Sequence, residues 1–187
     1  MTLSVGVLVS GRGTNLQALL DVGLPVVAVA SNDTKAQALD RAARAGIEAS
    51  VFPSAEYRSR EDRDREMAEW LAERGVELVV LAGYMQLLSA PFLERFPDRI
   101  INVHPSLLPS FPGAHAVEDA LAHGVRWTGA TVHVVDEGID SGPILLQEPV
   151  PVEEGDTVET LHARIQQVEH RLLPAAVRLF LGQVAAH

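Results

Sequence analysis

Short runs rich in valine and leucine alternate with longer runs at helical spacing, and this alternation constrains the fold more than any other feature of the chain. Leu3–Ser10, Pro25–Ser31, Ile47–Phe52, Glu77–Ala82 and Arg99–Val103 read as strands. Continuous apolar runs of this length suit strands buried on both faces. Between them, Asn15–Asp21, Ala36–Ala45, Arg60–Arg74 and a short segment around Pro91–Phe96 read as helices, with Gly46 and Gly75 as stop signals. Strand–helix–strand units of this kind close by right-handed crossovers into a parallel sheet. Beyond Asn102 the pattern changes. Gly129–Asp136 and Pro143–Val152 have no helix between them and predict an antiparallel addition, and Thr157–Leu181 predicts one long helix kinked or broken at Pro174. The expected architecture is an α/β fold: one open, mostly parallel, twisted sheet with helices on both faces, later strands partly antiparallel, and a long C-terminal helix.

With 187 residues, the chain suits a single domain spanning 1–187. Its start lacks a basic stretch ahead of an apolar one, and no apolar run is long enough to span a bilayer, so a cytoplasmic protein without membrane partners is expected. There is no cysteine, which excludes disulfides, thiolate nucleophiles and cysteine-based zinc sites. No pair of histidines has metal-ligand spacing, so no metal is expected. The net charge of -10 argues against nucleic-acid partners, which need a positive face, but leaves small anionic ligands open because they respond to the local field.

In an open parallel sheet, ligands bind beyond the carboxyl ends of the strands. Three motifs fall at such ends: Gly11–Asn15, Gly83–Leu88 and Asn102–His104. In Ser10-Gly11-Arg12-Gly13-Thr14-Asn15, two glycines allow close backbone approach, and the helix that follows offers free N–H groups to an anion such as phosphate. A dinucleotide site is the rival reading, because Asp33 follows the second strand where a ribose-binding acid would sit. Against it, Leu16 occupies the third glycine position. A plain tight turn with Thr14 or Asn15 as helix cap is the third reading.

Asn102 and His104, two apart on a strand, point to the same face. An amide and an imidazole side by side suit carbonyl chemistry, the amide stabilising an oxyanion and the histidine exchanging protons near neutral pH. A carboxylate from the Asp136–Pro143 loop, which holds Asp136, Glu137 and Asp140, would favour the imidazolium if brought close. Strand-end and turn roles remain the alternatives for His104 and Asp140. The other histidines, His115, His123, His133, His162 and His170, read as structural, with His123 in a loop-like setting before Gly124. Arg58–Glu66 reads as a solvated helix surface laced by pairs four apart, from which one arginine could reach an anionic ligand.

Taken together, SGRGTNLQALL, ASNDTKAQALDRAARAGI, LAGYMQLLS, INVHPSLLPSFPGAHAV and DEGIDSGPILLQEPVPV closely resemble the phosphoribosylglycinamide formyltransferase family, folate-dependent enzymes of purine biosynthesis. The resemblance runs in order over nearly the whole chain. It implies a Rossmann-like formyltransferase fold and transfer of a formyl group from the co-substrate 10-formyltetrahydrofolate to the glycine amine of 5-phosphoribosyl-glycinamide. It assigns Gly13, Thr14 and Asn15 to the substrate phosphate, and Gln166 and Glu169 to the glycinamide substrate. Asn102 would polarise the formyl oxygen, His104 would donate the proton, and Asp140 would orient that histidine and favour its charged form. Met85, Gln86, Leu87, Leu88 and Asn102 would line the folate pocket, and Arg60 would serve the folate side. Small molecules are then the partners, with room for a homodimer.

Gln86 stands where the family often carries arginine, and Ser110 where a basic residue is frequent. Methionyl-tRNA formyltransferase and formyltetrahydrofolate deformylase share parts of the Asn, His and Asp set but carry additional domains.

Overall fold

The computed structural model describes residues 3–185. Seven strands form one sheet in the order β3-β2-β1-β4-β5-β6-β7. They are β1 (Val5–Val9), β2 (Val26–Ser31), β3 (Glu48–Val51), β4 (Leu78–Leu81), β5 (Ile100–His104), β6 (Trp127–Val134) and β7 (Ile144–Pro151). The pairs β1/β2, β2/β3, β1/β4 and β4/β5 are parallel, and β5/β6 and β6/β7 are antiparallel. Strand order reverses between β1 and β4, which opens a crevice at their carboxyl ends.

The alternation of side chains along each strand divides the apolar residues between two cores. Val5, Val7 and Val9 of β1, with Leu78 and Val80 of β4, face α1 (Thr14–Asp21), α2 (Ala38–Arg44), α5 (Ala116–His123) and α6 (Val158–Ala185). Leu8, Val79 and Leu81 face the other way, onto Met67 and Leu71 of α3 (Arg60–Glu73) and Phe92 of α4 (Ala90–Arg95). Burial on both faces explains why these strands read as unbroken apolar runs.

Two expectations are corrected. The first is the break at Pro174, through which helix α6 runs on. A mid-helix proline costs about 3 kcal/mol, but Ile165, Leu172, Leu173, Ala176, Val177 and Phe180 are all buried around it. At roughly 1.5–3 kcal/mol for each large apolar side chain, that packing outweighs the defect. Second, His123 does not sit in a loop: it ends α5, whose acids Glu118 and Asp119 lie in the first turn and whose cap Gly124 adopts φ 75°. Glycine tolerates that left-handed geometry without a Cβ clash. None of the helices among the described residues is long and apolar enough to cross a membrane.

Candidate active site

The loop after β1 turns on Gly13, whose φ is 71° and where an added Cβ would lie 2.5 Å from the Ala38 side chain. Helix α2 holds this loop in place. The Ala38 N–H donates to Gly11 O at 3.1 Å, and Arg41 Nε donates to Arg12 O at 2.8 Å. No side chain caps α1, so the first-turn N–H groups at Thr14 and Asn15 are left without the usual acceptor. The cap reading of Thr14 and Asn15 is thereby corrected.

Asn15 is instead buried against α6, where its Nδ2 donates to Glu169 Oε2 at 3.0 Å while its Oδ1 has no partner. One turn earlier on α6, Gln166 Oε1 accepts from Arg12 Nη2 at 3.2 Å. The structure thus brings Gly13, Thr14, Asn15, Gln166 and Glu169 together from opposite ends of the chain. Burial holds the Glu169 carboxyl above its ordinary range, with the Asn15 hydrogen bond pulling the other way. His162 and His170, also on α6, are held low by burial and then by the charge of Arg12. Arg12 in the loop and Arg41 bonded to its backbone set two guanidinium groups beside it, in a chain whose net charge is -10. Asp33 is exposed and closes its own turn, accepting from the Lys35 N–H at 2.8 Å, and Leu16 is fully buried; neither is arranged for a dinucleotide.

The loop after β4 lies alongside. Ser10 Oγ accepts from the Met85 N–H at 2.9 Å, and Asp64 Oδ2 accepts from the Ser89 N–H at 2.7 Å, so both ends of the loop are fastened. Met85 and Leu87 are 70% and 56% exposed, an unusual display of apolar side chains at a strand end, whereas Gln86 and Leu88 are half-buried. The Arg58–Glu66 segment is not simply a solvated surface: Arg63 and Asp64 are 2% and 0% exposed and paired at 2.7 Å. Arg60, expected on the folate side, is exposed at the start of α3 and pairs with Glu61 at 3.8 Å. The arginine of α3 that meets the loop is Arg63, which donates to Gln86 Oε1.

At the end of β5, Asn102 lies opposite His133 of β6, and His104 opposite Thr131. Asn102 Nδ2 is 3.3 Å from His133 Nε2, and His133 Nδ1 is 3.0 Å from Val134 O. A carbonyl only accepts, so Nδ1 of His133 carries a proton and, in the neutral ring, Nε2 accepts from Asn102. One N–H of the Asn102 amide is then used in holding it, and the other is free.

His104 Nε2 is 2.8 Å from Phe111 O, and its Nδ1 is 3.4 Å from Asp140 Oδ2. By the same reasoning Nε2 carries a proton. Asp140, at φ 51°, is fastened by the Gly113 N–H at 2.8 Å, and its other oxygen lies 3.6 Å from His133 Nε2. The contact with His133 is the main influence holding the Asp140 carboxyl below the usual carboxylate range; burial opposes it, and the Gly113 N–H and His104 assist. Thus Asn102, His104 and Asp140 form one cluster, and His133, read from the sequence as structural, is its fourth member. Thr131 and Gln147 brace the following loop. Thr131 Oγ1 donates to Ser106 O at 2.7 Å, and Gln147 Nε2 donates to Leu108 O at 2.8 Å.

Residues 3–177 match the family model described as Formyl transferase. The phosphoribosylglycinamide formyltransferase of Mycobacterium tuberculosis is 49% identical over 176 residues, covering 91% of this chain and 81% of that protein. The trifunctional purine biosynthetic protein adenosine-3 of Gallus gallus is 47% identical over 95% of this chain, which spans only 18% of that relative's length. The crystal structure of glycinamide ribonucleotide transformylase 1 from Symbiobacterium toebii superposes with a TM-score of 0.95 at 52% identity, covering 97% of this chain and 89% of that one. The chain belongs to the formyl transferase family, alongside the phosphoribosylglycinamide formyltransferases.

Proposed function

We propose that the chain transfers the formyl group of 10-formyltetrahydrofolate to the glycine amine of 5-phosphoribosyl-glycinamide, yielding the formylated ribotide and tetrahydrofolate. The observation that carries this reading is the joining of an uncapped helix terminus, flanked by Arg12 and Arg41, with an Asn–His–Asp cluster at the end of β5, one strand removed from β1 in the sheet. An anion site and a carbonyl-activating site are the two recognition tasks that this reaction sets.

The ribotide phosphate is placed on the N–H groups at Gly13, Thr14 and Asn15, where a helix terminus favours negative charge. Gln166, and the buried Glu169 and Asn15 with its unpartnered Oδ1, then face the rest of that substrate. Met85, Gln86, Leu87 and Leu88 form the folate side, where the exposed apolar side chains of Met85 and Leu87 suit a flat ring system. In the reaction, the free N–H of Asn102 donates to the negative charge that develops on the formyl oxygen. Losing such a donor typically costs about 10²–10³ in rate. His104 transfers the proton between the attacking amine and the departing nitrogen once its Nε2 exchanges Phe111 O for substrate, while Asp140 holds the opposite nitrogen. The unit is read as 1–187, with 1–2 and 186–187 outside the described residues. Partners are the two small molecules, with no role for nucleic acid or membrane, which is consistent with a cytoplasmic setting.

The test is absorbance-monitored release of tetrahydrofolate from 10-formyltetrahydrofolate, with and without glycinamide ribotide. Release only with the ribotide is expected. Release without it would make the chain a deformylase, and no release in either case would overturn formyl transfer.

A further inference from the structure

We infer that Arg63 is a positioning residue that turns Gln86 into an outward hydrogen-bond donor for a carboxylate of the co-substrate; this rests on the formyl-transfer reading above. Arg63 is buried beneath the loop after β4, and its guanidinium is fully directed. Nη2 and Nε donate to Asp64 Oδ1 at 2.7 and 3.0 Å, and Nη1 donates to Ser54 Oγ at 2.8 Å and to Gln86 Oε1. Ser54 Oγ also donates to Gln86 Oε1, at 3.2 Å.

A guanidinium has donors and no acceptor, so only the oxygen of the Gln86 amide can face it. The amide nitrogen is therefore turned the other way. Among the described residues it donates to no acceptor, and it is not a buried orphan. Gln86 thus presents N–H groups, which only donate, at the rim of the crevice on the side away from the Arg63–Asp64 pair. An acceptor bearing negative charge is the group such a rim selects, and the glutamyl carboxylates of a folate co-substrate supply it.

Asp64 makes the arrangement stiff. One carboxylate oxygen fixes Arg63 and the other accepts from the Ser89 N–H at 2.7 Å, so the cation and the loop end are held by the same side chain. Directed charge-assisted bonds of this kind carry geometric specificity as well as energy. Position 86 thereby gains the donor character that a side-chain cation would have supplied, with the charge itself kept inside.

The test compares KM for 10-formyltetrahydrofolate with KM for an analogue lacking the glutamyl group, in the wild type, Gln86→Glu, Gln86→Ala, Arg63→Met and Arg63→Met/Gln86→Ala. A hydrogen bond to a charged group is worth roughly tenfold or more. Gln86→Glu and Gln86→Ala are expected to raise KM for the full co-substrate roughly tenfold, leaving KM for the truncated analogue and for ribotide within about twofold. Arg63→Met should do the same in the wild-type background and add little to Gln86→Ala. Should Arg63→Met fail to fold with Asp64 left unpaired, Arg63→Lys, which keeps the cation but loses the directed fork, takes its place and should raise the same ratio of KM values; an unchanged ratio there overturns the inference. An unchanged ratio in both Gln86 variants overturns the inference, as does an Arg63→Met effect equal on both co-substrates. Wild-type turnover with ribotide separates these outcomes from a failure of the formyl-transfer reading itself.

Discussion

Asn102 and His133 face each other across the antiparallel pair β5/β6, with the Asn102 Nδ2 and His133 Nε2 atoms 3.3 Å apart. This contact decides which way the Asn102 amide points. With Nδ1 committed to Val134 O at 3.0 Å, His133 offers a lone pair that one Asn102 N–H fills, leaving the second N–H without an acceptor among the described residues and, in the proposed reaction, for the formyl oxygen. Replacing His133 with leucine removes the anchor but not the donor. We expect turnover to fall by about tenfold to a hundredfold, less than the roughly 10²–10³ lost with the donor itself, and ribotide KM to stay near its original value. Steady-state kinetics of His133→Leu beside Asn102→Ala checks the order of the two effects.

Asp140 touches both histidines and holds a left-handed backbone, so its substitution has a kinetic and a thermodynamic consequence. Loss of the carboxylate that orients a catalytic histidine costs about 10⁴ in turnover in a comparable arrangement, and Asp140→Asn should lower turnover by up to that factor with ribotide binding retained. The sign of the stability effect follows from the lowered pKa of the Asp140 carboxyl. Above its ordinary value of 3.8, Asp140 contributes stability as a carboxylate, and that contribution is lost as pH falls through the lowered folded value. Thermal melts from pH 7 down to pH 2 should therefore show a shallower acid limb for Asp140→Asn than for the wild type.

The strands and the carboxyl-end motifs were legible because they rest on local physics. Apolar runs buried on both faces mark β1, β2 and β4, and glycines mark the turns that follow β1 and β4. What was not legible depends on partners distant in sequence. His133 becomes functional through its register with Asn102, which nothing near His133 encodes. Arg63 and Asp64 sit in a segment with the charge spacing of a solvated face, and only the fold of residues 84–89 over α3 buries them. The short helix α5 lies just beyond a loop rich in proline and glycine. Its signals, two acids in the first turn and Gly124 as cap, span just eight residues. The proline in α6 was given its local cost, while the tertiary packing that outweighs it has no local signature.

The two loop glycines should behave differently. Gly13 needs its positive φ and has Ala38 within 2.5 Å of any added Cβ, whereas an added Cβ at Gly11 meets nothing within 4 Å. Forcing an alanine into such a backbone costs about 1–3 kcal/mol before the clash is counted. Gly13→Ala should lower the melting temperature and weaken ribotide binding far more than folate binding, while Gly11→Ala should leave the melting temperature nearly unchanged. Equal effects of the two substitutions on ribotide KM would remove Gly13 from the phosphate site.

Glu169 is a case in which binding function and stability should oppose each other. Its carboxyl is 5% exposed, accepts one hydrogen bond from Asn15, and is held above its ordinary value of 4.5 by burial. Between 4.5 and the raised folded value, the folded protein binds more protons than the unfolded chain, so stability falls as pH rises across that window. Above it the cost of keeping the buried group charged is fully present. Glu169→Gln keeps an acceptor for Asn15 Nδ2, adds a donor beside the unpartnered Asn15 Oδ1, and removes the charge. The variant should melt higher than the wild type near pH 8, with the difference vanishing near pH 4. If Glu169 serves the ribotide, KM for that substrate should rise at the same time by roughly tenfold or more, the usual worth of a hydrogen bond to a charged group. A higher melting temperature with unchanged ribotide KM would instead make Glu169 a buried acid without a part in binding.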